Sequence, residues 1–232
     1  MEDRSVLKED REDGWFRRLP PQTRVLFIGL AVLGSCHIAT GPPFYYSAPI
    51  RTRVIDEHTG SPNGGVVAVA LWVADRGWAS AEPLYADEAV TDANGEFVIP
   101  AMWPRLRRPL TLLCMNDPEI WLYKPGYHIS RLNNTPRHPY GYTGPCRFYA
   151  FKRHSYWNGK TIPLQPATTV KEQAHALERI LSIASAADLE PRAHPNLWRA
   201  AITGYRSLPR EFRYTGFGNP EDDWNAAFGT EP

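Results

Sequence analysis

Residues 89–100, AVTDANGEFVIP, place an Asn94-Gly95 step between two short apolar runs. Asn and Gly tolerate the positive φ that a tight turn needs. An Asn-Gly flanked by alternating residues therefore predicts a β-hairpin, with one strand running into the turn and another over residues 96–99. Similar punctuation recurs through the middle of the chain. Ile50, Thr52 and Val54 alternate ahead of a polar turn, and residues 66–73 form a continuous apolar run long enough for one buried strand. Residues 110–115, 120–127, 147–153 and 161–167 are further candidates. That makes about seven short strands with turn signals spaced as in a β-sandwich. The 22 prolines in 232 residues suit loops and edge strands better than a helical bundle.

Beyond Pro166 the period changes. Val170, Ala174, Leu177, Leu181 and Ala184 fall at steps of three and four, which predicts an amphipathic helix. Thr168 or Thr169 is its expected N-cap, with Glu172 placed to close a capping box. A second, shorter helix is expected from about His194, with Pro195 near its first position. The tail from Pro209 is rich in Gly, Pro and acids and reads as loop.

The chain is 43% apolar and 22% charged with a net charge of +1, so it can build a core and has no global field to attract nucleic acid. Its N-terminal part carries Arg17, Arg18 and Arg24 ahead of an apolar run over residues 25–35. A membrane-spanning helix needs roughly 20 residues. A positive flank, a short apolar segment and small residues before a break mark a secretory signal. The run closes with Leu33-Gly34-Ser35-Cys36, which resembles the lipobox of bacterial lipoproteins. The resemblance implies cleavage before Cys36, diacylglycerol on its sulfur, and a membrane partner reached through that lipid. Two other readings stand beside it: an uncleaved anchor, and a core segment ending in a buried cysteine. On the lipoprotein reading residues 1–35 are signal peptide and residues 36–47, with Gly41-Pro42-Pro43, are a tether. His37 stands where an inner-membrane retention signal needs Asp. That implies the outer membrane, with the domain facing the periplasm. An oxidising compartment favours a disulfide between the two remaining cysteines, Cys114 and Cys146, across 31 intervening residues. The competing picture buries Cys114 in the core and leaves Cys146 on a loop.

A second resemblance rests on Asp56, Thr59-Gly60, Pro62, Thr91-Asp92, Gly95, Phe97 and Leu164 to Pro166. These residues look like the signature of the carboxypeptidase regulatory-like domain of bacterial lipoproteins. The likeness implies a mainly β fold over residues 48–168, a seven-stranded transthyretin-like (prealbumin-like) β-sandwich; residues 169–232, with the two helices expected from their periodicity, follow it as a C-terminal helical extension. It implies little about activity, because that domain is an accessory module in many settings. The hydroxyisourate hydrolases of the transthyretin family open their first strand with a His where this chain has Arg53, so that activity is not carried over.

The residues themselves offer little chemistry. There is no CxxC, no HExxH, no regular Cys/His spacing, no phosphate-binding loop and no Gly-x-Ser-x-Gly, so no metal or cofactor is expected. A long loop begins near His128 and carries Arg131, Asn133 and His138. It is suited either to binding an anionic or sugar ligand or to being a solvated insert. Trp72, Trp78, Trp103 and Trp121 form either a stacking platform or core filling. The expected function is a non-catalytic envelope scaffold that binds protein or glycan partners. The alternative is a periplasmic hydrolase using His128 and His138.

Overall fold

A computed structural model describes residues 19–40, 44–75, 81–106, 118–133, 152, 153, 155–213 and 216–229. The fold is mainly β, with several sheets and a smaller helical part. Helix α1 (Pro21–Thr40) precedes strands β1 (Phe44–Ser47), β2 (Ile50–Asp56), β3 (Val67–Asp75), β4 (Ala81–Val90) and β5 (Glu96–Ile99). Then come β6 (Met102–Leu106), β7 (Glu119–Tyr123), β8 (Ser130–Leu132), β9 (Lys152–Arg153) and β10 (Thr161–Leu164). Helices α2 (Val170–Ala186), α3 (Pro195–Ser207) and α4 (Pro220–Phe228) follow, with a 3₁₀ turn (Arg210–Phe212) before α4.

The strands form three sheets, ordered β6-β1-β9, β10-β2-β5 and β4-β3-β7-β8. The four-stranded sheet is antiparallel throughout, whereas β10 pairs with β2 in parallel. Strand β3 reads as an unbroken apolar run because both its faces are covered. Ala68, Ala70 and Trp72 enter one core with Ile50 and Val54 of β2, Phe97 and Ile99 of β5, and Ile162 and Leu164 of β10. Val67, Val69 and Leu71 enter a second core with Leu177, Ile180 and Leu181 of α2 and Leu197 and Trp198 of α3. A strand covered on one face only alternates instead: in β2, Ile50, Thr52 and Val54 are buried while Arg51 and Arg53 are exposed.

Three expectations need correction. The Asn94-Gly95 turn does not close a hairpin: β4 pairs with β3, and β5 pairs with β2. The turn carries the chain from one sheet to the other, because Phe97 and Ile99 belong to the opposite wall of the first core. It is still tight, with the Gly95 N–H donating to the Asp92 carbonyl at 2.9 Å and the Asp92 N–H to the Glu96 carbonyl at 2.9 Å. The tail beyond Pro209 is not all loop, since α4 forms there. Its N-cap Asn219 accepts from the Glu221 N–H at 3.0 Å, Pro220 opens the helix, and Glu221, Asp222 and Asp223 lie in the first turn. Finally, β1, β6 and β8 were not anticipated as strands. The candidate strand over residues 110–115 lies outside the described residues, and of residues 147–153 only β9 is described.

The two other helices form as their sequence predicts. Thr169 caps α2, accepting from the Glu172 N–H at 3.2 Å, and Glu172 reaches back to the Thr169 N–H at 3.0 Å. Pro195 opens α3.

Candidate functional site

A cluster of polar groups lies at one end of the sheets, where β2, the β2–β3 connection and the end of β7 converge. Asp56 closes β2. Its Oδ1 accepts from the N–H groups of His58 and Thr59 at 2.9 and 2.8 Å, which holds the turn at Thr59-Gly60. Its Oδ2 accepts from the Tyr127 hydroxyl at 2.8 Å. Just past β7, Lys124 Nζ donates to Asn63 Oδ1 at 2.7 Å and to the Gly64 carbonyl at 2.8 Å. The same Nζ lies 5.2 Å from the centre of the Tyr127 ring. Asn63 is buried, and its Nδ2 lies beside the Tyr127 hydroxyl.

The electrostatics follow from these contacts. The Thr59 N–H, then the Tyr127 hydroxyl, hold the Asp56 carboxyl below the usual carboxylate range. Burial, and next the bond to Asp56, push the Tyr127 phenol up, with the nearby Asn63 amide acting the other way. Burial lowers the proton affinity of Lys124, and the charge on Asp56 partly restores it. The cluster thus holds an amine with weakened proton affinity against a buried carboxamide, beside a neutral phenol and an ionised carboxylate. Asp56 was visible in the sequence as a turn residue. Asn63 and Lys124 were missed, although a lone Lys after the apolar run 120–123 was a usable signal.

The anticipated loop residues are spread over separate contacts. His128 Nε2 lies 3.6 Å from Glu172 Oε2, so it sits beside the capping box of α2. Arg131, in β8, pairs with the buried Glu119 at 2.7 Å and lies over the Trp121 ring at 5.3 Å. The Asn133 carbonyl accepts from Trp157 Nε1 at 2.8 Å. His138 lies outside the described residues, as do Cys114 and Cys146. Cys36 lies in α1. Of the tryptophans, Trp72 and Trp121 fill the two cores, Trp103 on β6 is 85% exposed, and Trp78 is outside the described residues.

A concave surface lies between α3 and α4. Its volume is about 430 Å³, and Arg199, Ile202, Thr203, Arg206, Glu221, Trp224 and Asn225 line it. Arg206 pairs with Glu221 at 2.7 Å, and the Arg199 guanidinium lies 5.6 Å from the centre of the Trp224 ring. The sequence did not show this groove because α4 was read as loop. Among the described residues, no group of three or more His, Cys, Asp or Glu is placed to hold a metal ion. Nor is any described helix long and apolar enough to cross a membrane.

The chain is similar to a solved dioxygenase domain, from a dioxygenase carbohydrate-binding protein fusion of the cellulolytic bacterium Streptomyces sp. SirexAA-E. Identity is 15%, the match covers 54% of this chain and 81% of that one, and the TM-score is 0.30. A likeness at that level carries no argument for fold or chemistry. No family model matches the chain, and no curated protein matches it.

Proposed function

We propose that the chain is an envelope lipoprotein, acylated on Cys36, whose β domain is a transthyretin-like sandwich that binds a protein or glycan partner without catalysis. The observation that carries the anchoring is the surface of α1. Val25, Leu26, Ile28, Leu30 and Val32 are each more than half exposed, and they point to several sides of one helix. A helix apolar all round has no stable place in water. No described helix is long and apolar enough to cross a membrane either. Delivery to a membrane followed by replacement of the helix with acyl chains on Cys36 resolves both problems, and two or more chains give stable anchoring. The sandwich reading is supported by the first core, which draws side chains from β2, β5 and β10 on one side and from β3 and β7 on the other. Binding is assigned to the α3–α4 groove, where Arg199 and Trp224 pair a cation with an aromatic surface.

Mass spectrometry of the membrane fraction is expected to find a mature N-terminus at Cys36 carrying acyl chains. A full-length, unmodified chain beginning at Met1 in that fraction would exclude the reading. Thiol labelling of the denatured, unreduced mature protein tests the accompanying disulfide. No free thiol at Cys114 and Cys146 before reductant, and two after it, supports the bridge; two free thiols at the outset rule it out.

A further inference from the structure

We propose that Lys124 and Asn63 become joined by an intramolecular amide bond, formed by the folded chain itself. The reacting groups are already in contact, with Lys124 Nζ 2.7 Å from Asn63 Oδ1 and pinned on its other side by the Gly64 carbonyl at 2.8 Å. With a C=O bond of about 1.23 Å, this puts Nζ about 3 to 4 Å from Asn63 Cγ, on the oxygen side of the carbonyl, so the amine has to swing from Oδ1 over Cγ to attack. Asn63 is 3% exposed, so water has little access to its carboxamide. Its Nδ2, the group that would leave, is buried beside the Tyr127 hydroxyl.

The chemistry balances without any added reagent. Burial weakens the hold of Lys124 on its proton, and the amine sheds one proton to solvent at its half-exposed edge. The nitrogen lone pair then attacks Asn63 Cγ, and the carbonyl electrons move onto Oδ1. Collapse of the adduct breaks Cγ–Nδ2. Nδ2 leaves as ammonia, carrying a second proton from the attacking nitrogen. One ammonium and one primary amide become one secondary amide and, after protonation, one ammonium ion. Nothing is oxidised or reduced. Asp56 acts as a positioning residue, because it holds the Tyr127 hydroxyl at 2.8 Å and the Tyr127 ring lies against the amine.

The product would tie the β2–β3 connection to the end of β7. Asn63-Gly64 can also lose ammonia by closing on its own backbone, so the test must separate the two routes. The full-length chain, purified in non-ionic detergent, is digested, and the peptides containing residues 63 and 124 are identified by tandem mass spectrometry. The expected result is one branched peptide joining both segments, lighter than their sum by one ammonia, about 17 Da. Lys124→Arg keeps a cation at the site and should abolish both the branch and the mass loss at Asn63. Two linear peptides at full mass from the unaltered chain would overturn the proposal. So would an ammonia loss at Asn63 that persists in Lys124→Arg, which would be the signature of backbone cyclisation.

Discussion

Gly95 sits at φ +74°, and a Cβ built on it would collide with the Val54 carbonyl oxygen. That oxygen belongs to β2 and accepts from the Asn63 N–H at 3.0 Å, so it has little freedom to withdraw. Gly95→Ala therefore combines the left-handed backbone cost of an L-residue, about 1–2 kcal/mol, with a steric clash against main chain. We expect a loss of stability larger than that backbone cost alone, read as a lower urea midpoint with an unchanged slope. An unaltered midpoint would mean that the turn can move away from β2. The glycine was legible in the sequence as a turn residue. Its pressure against β2 was not, because the neighbour it touches is some forty positions away in the chain.

At the scale of elements, α2 carries its own start signal. Glu172 accepts from the N–H groups of Thr168 and Thr169 at 2.7 and 3.0 Å, and these bonds, first Thr168 and then Thr169, hold its carboxyl below the usual carboxylate range. A carboxyl lowered by folding stabilises the native state above its unfolded pKa, and that contribution fades as pH falls through the folded value. Glu172→Gln should thus be less stable than the parent near neutral pH, and the gap should narrow on acidification below the ordinary Glu range. Thermal melts of both chains at several pH values check this. A gap that widens toward acid would contradict the capping role. The box was readable in advance because Thr169 and Glu172 are three residues apart and need no distant partner.

For the whole molecule, the sheet and the helices hold each other at Glu88. This β4 side chain accepts from the Asn196 N–H and Asn196 Nδ2 on one oxygen and from the Leu197 N–H on the other, each at 2.9 Å. The N-cap residue of α3, His194, makes no side-chain capping bond, so a carboxylate from the sheet satisfies the first turn instead. Glu88→Gln would turn an amide NH₂ toward one of these donors. We expect a cost of about 1–2 kcal/mol, lowering the melting temperature by a few degrees in a chain of this size. An unchanged melting temperature would show that α3 is held by the second core alone.

What the sequence determined by itself was set by near neighbours. The periodicities of β2, β5, β10, α2 and α3, the capping box and the turn glycines all depend on residues a few positions apart, and all are present in the structure. A buried strand at β3 was implied by its unbroken apolar run, and β7 by a strand candidate over residues 120–127. Which elements would cover these strands was decided by tertiary packing, as were the passage of the Asn94-Gly95 turn between sheets and the capping of α3 by Glu88. The meeting of Lys124 with Asn63 was decided in the same way, since 61 positions of chain separate them and no local pattern encodes which side chains converge when two sheets and a helical layer close on shared cores.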